Sequence, residues 1–344
     1  MGPQSGLHAP LVFSAFPKTL WPRLHVYSRL TAATLPLFNW PRYKKMKAGL
    51  IGIGSMGMAM ALNLHRKGLQ VCAHDIRPEA MQAASAAGIP TCVSPAELAQ
   101  QTNLIIVVVV NAKQVDQVLF GETGITRSPC DGKTIMLCPT IAPEDTLAIA
   151  ERLTSLGLTV IDAPISGGPV RAEAGTMSIM LAGADEVIAR HQNVLDALSD
   201  KIFRLGTRIG DGARYKLVNN LLAGINLVAA AEVISLGTRI GLDPQQLLAL
   251  MSASSGQSMM LEDRMTRALA NDYAPRAHAH ILTKDVALGV AMANKAGQET
   301  PLAAYALEIF KATLASGYDS LDDAAVLKIL LNDQQGVAEK NCVL

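Results

Sequence analysis

The stretch Ala48-Gly49-Leu50-Ile51-Gly52-Ile53-Gly54-Ser55-Met56-Gly57-Met58 decides how the rest of the chain is read. An apolar run opens it, and glycines spaced G-x-G-x-x-G follow, just before a helical pattern from Met58 to Arg66. A strand that turns into a helix through such glycines presents backbone amides to a phosphate. Gly52 permits the tight turn, Gly54 removes a blocking side chain, and Gly57 lets the helix pack close to the sheet. Gly52, Ile53, Gly54, Ser55, Met56 and Gly57 therefore form a candidate pyrophosphate cradle. The next apolar run, Gln70 to His74, ends at Asp75, which lies 18 positions after Gly57 and is the first acidic residue of the chain. A carboxylate there accepts hydrogen bonds from an adenosine ribose diol and repels a 2′-phosphate. The expected cofactor is NAD, with NADP as the alternative because Arg77 could offset that repulsion.

Outward from this motif, apolar β-type runs alternate with helical stretches, the pattern of a parallel sheet with crossover helices. Strands are predicted at Ala48 to Ile53, Gln70 to His74, Leu104 to Val110, Thr134 to Leu137, Thr159 to Asp162 and Ser178 to Leu181. After Gly212 the strand signal stops, and a long helix is predicted from Ala213 to about Arg239, stopping at Gly241. The predicted fold class is α/β: an N-terminal Rossmann-type dinucleotide-binding domain over 46–209, then an all-α domain over 210–335, joined by the long helix. Residues 1–45 contain no Asp or Glu but six of the 17 prolines and both tryptophans, so they read as an extension outside the fold, with 336–344 as a tail.

Composition narrows the partners. Thirty Lys+Arg against 29 Asp+Glu leave no charge excess to attract nucleic acid or an anionic membrane. The longest apolar run, Leu104 to Val110, falls far short of the roughly 20 residues of a membrane span. Five scattered cysteines without a C-x-x-C pair argue against a disulfide framework or structural zinc and fit a reducing cytoplasm. His278 and His280 form an isolated pair without clear carboxylate partners, so no metal site is expected. A small molecule is the expected partner.

Three further clusters carry chemistry. Asp162-Ala163-Pro164-Ile165-Ser166-Gly167-Gly168 sits at a strand end, where open α/β sheets bind ligands, and the Ser166 hydroxyl with the Gly167 and Gly168 amides suits a carboxylate. The same turn also reads as a plain loop. In Gly210 to Asn220, Lys216 and Asn220 are four apart and share a helix face among apolar neighbours. A desolvated lysine exchanges protons nearer neutrality, whereas a snorkelling lysine does not. Lys284-Asp285-Val286-Ala287-Leu288 reads as an exposed helix start.

In this order and spacing the four segments resemble the β-hydroxyacid dehydrogenase family, also called the 3-hydroxyisobutyrate dehydrogenase family, over about Met46 to Leu331. Val108-Val109-Val110-Asn111-Ala112 and Asp272-Tyr273-Ala274-Pro275-Arg276 look most like its L-threonate dehydrogenase branch. The resemblance implies an NAD-dependent oxidoreductase with Lys216 as catalytic acid/base, Asn220 as an orienting residue and Ser166, Gly167 and Gly168 on the substrate carboxylate. It also implies cofactor contacts from Val109, Val110, Gln114, Thr140 and Lys284, and a homo-dimer or homo-tetramer. L-threonate leads as substrate, ahead of tartronate semialdehyde or glycerate and 3-hydroxyisobutyrate. An imine reductase and a non-catalytic cofactor-binding protein are the rival readings. Pro139-Thr140 stands where the family has Ser-Thr, and Val109-Val110 where it has Leu-Pro.

Overall fold

The computed structural model describes residues 47–332. The expected N-terminal extension and the tail after 335 lie outside the described residues. Five parallel strands, β1 (Lys47–Ile51), β2 (Gln70–His74), β3 (Leu104–Val107), β4 (Thr134–Leu137) and β5 (Thr159–Asp162), form a sheet in the order β2-β1-β3-β4-β5. Strands β3 and β4 are buried at every position, which explains their unbroken apolar sequence. The order reverses between β1 and β3, and ligands of such sheets bind beyond the carboxyl ends at that switch point.

Helices α1 (Ser55–Arg66), α2 (Pro78–Ala86), α3 (Pro95–Gln101), α4 (Ala112–Phe120) and α5 (Pro143–Ser155) cross between these strands. A second sheet of β6 (Ile165–Ser166), β7 (Ser178–Leu181) and β8 (Lys201–Arg204) carries α6 (Gly168–Ala174), α7 (Asp185–Arg190) and α8 (Gln192–Leu198). An antiparallel bridge between Asp162 and Ala182 joins the two sheets.

The sequence reading overran the ends of β1 and β3 and missed β6 and β8. Val108 to Val110 are apolar but lie past the last paired residue of β3, although the Val108 amide still donates to the Ile51 carbonyl, so composition alone cannot mark where the strand ends. Strand β8 has charged residues at both ends and is mostly exposed, which leaves it without the apolar signature of a buried strand.

Helix α9 (Asp211–Arg239) begins two residues earlier than predicted and leads into α10 (Pro244–Ser252), α11 (Thr266–Leu269), α12 (Ala279–Lys295), α13 (Pro301–Ala315) and α14 (Val326–Asn332). By length and composition α9 is apolar enough to cross a membrane. Its buried residues, including Leu227, Val228, Ala231 and Ile234, instead form the centre of a core with Leu282, Val286, Leu307 and Phe310. Close approach of α9 and α12 needs small residues at the crossing, because a Cβ on Gly224 would stand 2.6 Å from Val286 Cγ2. That crossing brings Asn220, one turn before Gly224, onto Asp285, the residue before Val286.

Candidate functional site

Because the strands of the large sheet are parallel, all of their carboxyl ends open on one edge, and the sequence motifs collect there. Gly52 turns with φ +89°, and a Cβ on it would meet the Val108 carbonyl oxygen at 2.6 Å and Val109 Cγ1 at 2.9 Å. This places Val109 beside the glycine loop. A Cβ on Gly57 would overlap the Gly52 carbonyl, whereas one on Gly54 would meet only Arg77 Nη2 at 3.6 Å. The loop is thus closed at Gly52 and Gly57 and open at Gly54, which is the N-cap of α1 ahead of Ser55 and Met56 in its first turn. That arrangement fits a pyrophosphate, which needs free amides and no intervening side chain. Gln114 Oε1 accepts from the Val110 amide at 2.7 Å, fixing the turn after β3.

Asp75 follows β2, as the spacing predicts, and its carboxylate is occupied. Arg77 Nε and Nη2 donate to its two oxygens at 3.0 and 3.1 Å, and the Arg77 amide adds a bond of 2.9 Å. Burial works against the charged carboxylate, but these bonds and the Arg77 charge hold it below the usual carboxylate range. Arg77, read from sequence as a possible offset to Asp75, is therefore its direct partner.

Beyond β5, Ser166 pairs across to Ser178 and leads into Gly167 and Gly168, with φ of +127° and +74°, which open α6. Only glycine adopts both angles without strain, and at Gly168 no other atom stands within 4 Å of where a Cβ would be. The exposed Arg171 side chain lies against Gly167.

Lys216 is only 7% exposed, which decides against a snorkelling amine. Burial lowers its pKa, Asp285 opposes that shift, and the neighbouring Lys284 charge reinforces it. Asn220 Nδ2 donates to Asp285 Oδ2 at 2.7 Å, and Lys284 Nζ donates to Asp285 Oδ1 and to the Thr140 carbonyl, both at 2.6 Å. Thr140 lies just beyond β4, so the Lys284 bridge docks α12 on the edge where the glycine loop opens. Asp285 was read from sequence as part of an exposed helix start, yet it is 4% exposed and is the hub of this cluster. Its only sequence signal was adjacency to Lys284; burial of a carboxylate is a tertiary property.

Asp162 also has a place that its sequence did not disclose. It is 1% exposed, and burial pushes its pKa up to about 6 against the amides that bind it. His278 and His280 stack with ring centroids 5.2 Å apart, and their Nδ1 atoms donate to the Ser320 and Asp319 carbonyls. Among the described residues no group of three or more potential metal ligands gathers.

Comparison with known proteins agrees with this geometry. Residues 47–206 match the NAD binding domain of 6-phosphogluconate dehydrogenase, and residues 210–330 match the NAD-binding domain of NADP-dependent 3-hydroxyisobutyrate dehydrogenase. The L-threonate dehydrogenase of Cupriavidus necator is 39% identical over 282 residues, covering 82% of this chain and 95% of that protein. The chain belongs to the β-hydroxyacid dehydrogenase family.

Another relative is the 2-hydroxy-3-oxopropionate reductase of Escherichia coli, 31% identical over 83% of this chain and 97% of that protein. The crystal structure of a 3-hydroxyisobutyrate dehydrogenase from Salmonella typhimurium matches with TM-score 0.78 and 36% identity, over 83% of this chain and 99% of that one. As a β-hydroxyacid dehydrogenase, the chain is an NAD(P)-dependent oxidoreductase acting on small hydroxy acids. The helical half over an open α/β sheet is the architecture of this family.

Proposed function

We propose that this β-hydroxyacid dehydrogenase oxidises L-threonate to its 2-oxo acid, with NAD and with Lys216 as the acid/base. The observation that carries the reading is a lysine on α9, buried and lowered in pKa, beside the Asp285 carboxylate of α12, the helix that Lys284 docks on the nucleotide edge. L-threonate is favoured over tartronate semialdehyde, glycerate and 3-hydroxyisobutyrate by the name of the 39% identical relative.

Ser166, Gly167 and Gly168 bind the substrate carboxylate, with the Arg171 cation beside them for the hydroxylated end of a sugar acid. Neutral Lys216 removes the hydroxyl proton, and in the reverse direction its ammonium form returns it. Asn220, held by Asp285, orients that hydroxyl. Bound NAD supplies the hydride acceptor. Gly52 to Gly57 would hold its pyrophosphate and Asp75 its ribose, with Val109, Val110, Gln114, Thr140 and Lys284 as further contacts. The test is a panel of C3 and C4 hydroxy acids with NAD or NADP, followed by nicotinamide absorbance. L-threonate with NAD should give the highest kcat/KM; turnover of cyclic imines only, or of nothing, would overturn the reading.

Preference for NAD rests on the Asp75 charge. Asp75→Asn is expected to raise the kcat/KM ratio of NADP to NAD by about tenfold, since it removes the repulsion and releases Arg77 from its partner. An unaltered ratio would remove Asp75 from the selecting role.

The same helix supports a homo-oligomer. Tyr215, Val218, Leu222, Val233 and Leu236 lie on one stripe of α9, which Ile240 at its C-cap continues, and all are exposed, from 39% to 64%. A stripe at three- and four-residue spacing is what a second apolar helix face packs against. Leu222→Lys with Leu236→Lys should convert a dimer or tetramer to monomers in light scattering, and unchanged mass would rule this face out.

A further inference from the structure

We infer that Asp162 is a positioning residue: its buried carboxylate clamps the first turn of α9 onto the end of β5, and so fixes Lys216 relative to the Ser166–Gly168 turn. The inference rests on the proposed role of Lys216.

Helix α9 has no side-chain cap of its own, because Gly210 occupies its N-cap position. Asp162 supplies the cap from the sheet. Its Oδ2 accepts from the Gly210 amide at 2.8 Å and from the Ala213 amide at 3.2 Å. An anion satisfying these amides also lies at the positive end of the helix dipole. The fit is close enough that Gly212 tolerates no side chain, since a Cβ there would stand 2.7 Å from the Met180 carbonyl oxygen and 2.9 Å from Asp162 Oδ1.

The strand end is itself immobilised. Asp162 exchanges both backbone hydrogen bonds with Ala182, at 2.9 and 2.8 Å, where the two sheets meet. Four residues after Asp162 comes Ser166, and six residues after Gly210 comes Lys216, less than two turns along the helix. One carboxylate therefore joins the two short lever arms that end at the substrate turn and at the amine. Misplacement of a catalytic group by about 1 Å costs on the order of 100-fold in rate.

The test is a double-mutant cycle on the panel acid turned over fastest. Asp162→Asn removes the negative charge at the helix N-terminus and, while one oxygen faces the Gly210 and Ala213 amides, turns an NH2 group towards the Gly212 amide. It is expected to lower kcat by 10- to 100-fold while NAD affinity, read by titration calorimetry, changes less than about twofold. In a Lys216→Ala background the same substitution should add less than about twofold, because no amine remains to be misplaced. Gly212→Ala, which displaces the helix turn while keeping the carboxylate, should reproduce the kcat loss, and it carries the test where Asp162→Asn does not fold. Normal kcat in either variant, or losses that multiply in the Lys216→Ala background, would overturn the proposal and leave Asp162 a general structural residue. Absence of turnover in the unsubstituted chain would instead retire the functional reading, and the clamp's catalytic role with it.

Discussion

Lys216→Ala is expected to lower kcat for hydroxy-acid oxidation by about 100-fold or more, with NAD affinity nearly unchanged. A lysine at its reference pKa of about 10.4 is neutral in only roughly one molecule in a thousand near pH 7.5. Burial of Lys216 lowers its pKa and enlarges the neutral fraction that can take a proton. Lys216→Arg separates proton transfer from charge, because a guanidinium stays protonated at any pH the protein tolerates. It should be about as inactive as the alanine variant. Turnover within a few-fold of normal in either variant, measured alongside the unfolding midpoint, would remove Lys216 from acid/base chemistry.

A second large effect is expected at Asp285. Its two oxygens accept separately from Asn220 and Lys284, so Asp285→Asn offers one acceptor where two donors require one each. One donor is left facing an NH2 group in a buried site, and Asn220 or Lys284 loses its orientation. A fall in kcat/KM of about 10- to 100-fold is expected, comparable to other losses of a partner that orients a reacting group. The pH profile gives a separate reading. Asp285 raises the Lys216 pKa, so removing its negative charge lowers that pKa further. Oxidation uses the neutral amine, and its rise with pH should therefore move to lower pH in the variant. An unshifted rise together with near-normal kcat/KM would show that Asp285 does not act on Lys216.

The nucleotide half was legible because its chemistry is local. Glycine spacing, an apolar strand before it and a carboxylate at the end of the next strand are properties of short segments, and Gly52 to Gly57 and Asp75 stand at the sheet edge as those segments imply. Lys216 and Asn220 were legible as a pair for the same reason, since four residues make one helix face. Edge strands such as β8 were not, because an exposed strand has no apolar run to mark it.

What the amino-acid order determined by itself was the fold class, the glycine turn after β1, the candidate amine and the helical second half, all of which follow from periodicity and backbone sterics over a few residues. Only tertiary structure decided that Asp285 is the hub beside that amine and that Asp162 caps a helix 48 residues further along. These are contacts between segments brought together by the α9–α12 crossing and by the bridge between the sheets. Burial and pairing of a charge depend on what packs against it, which no single stretch of sequence contains.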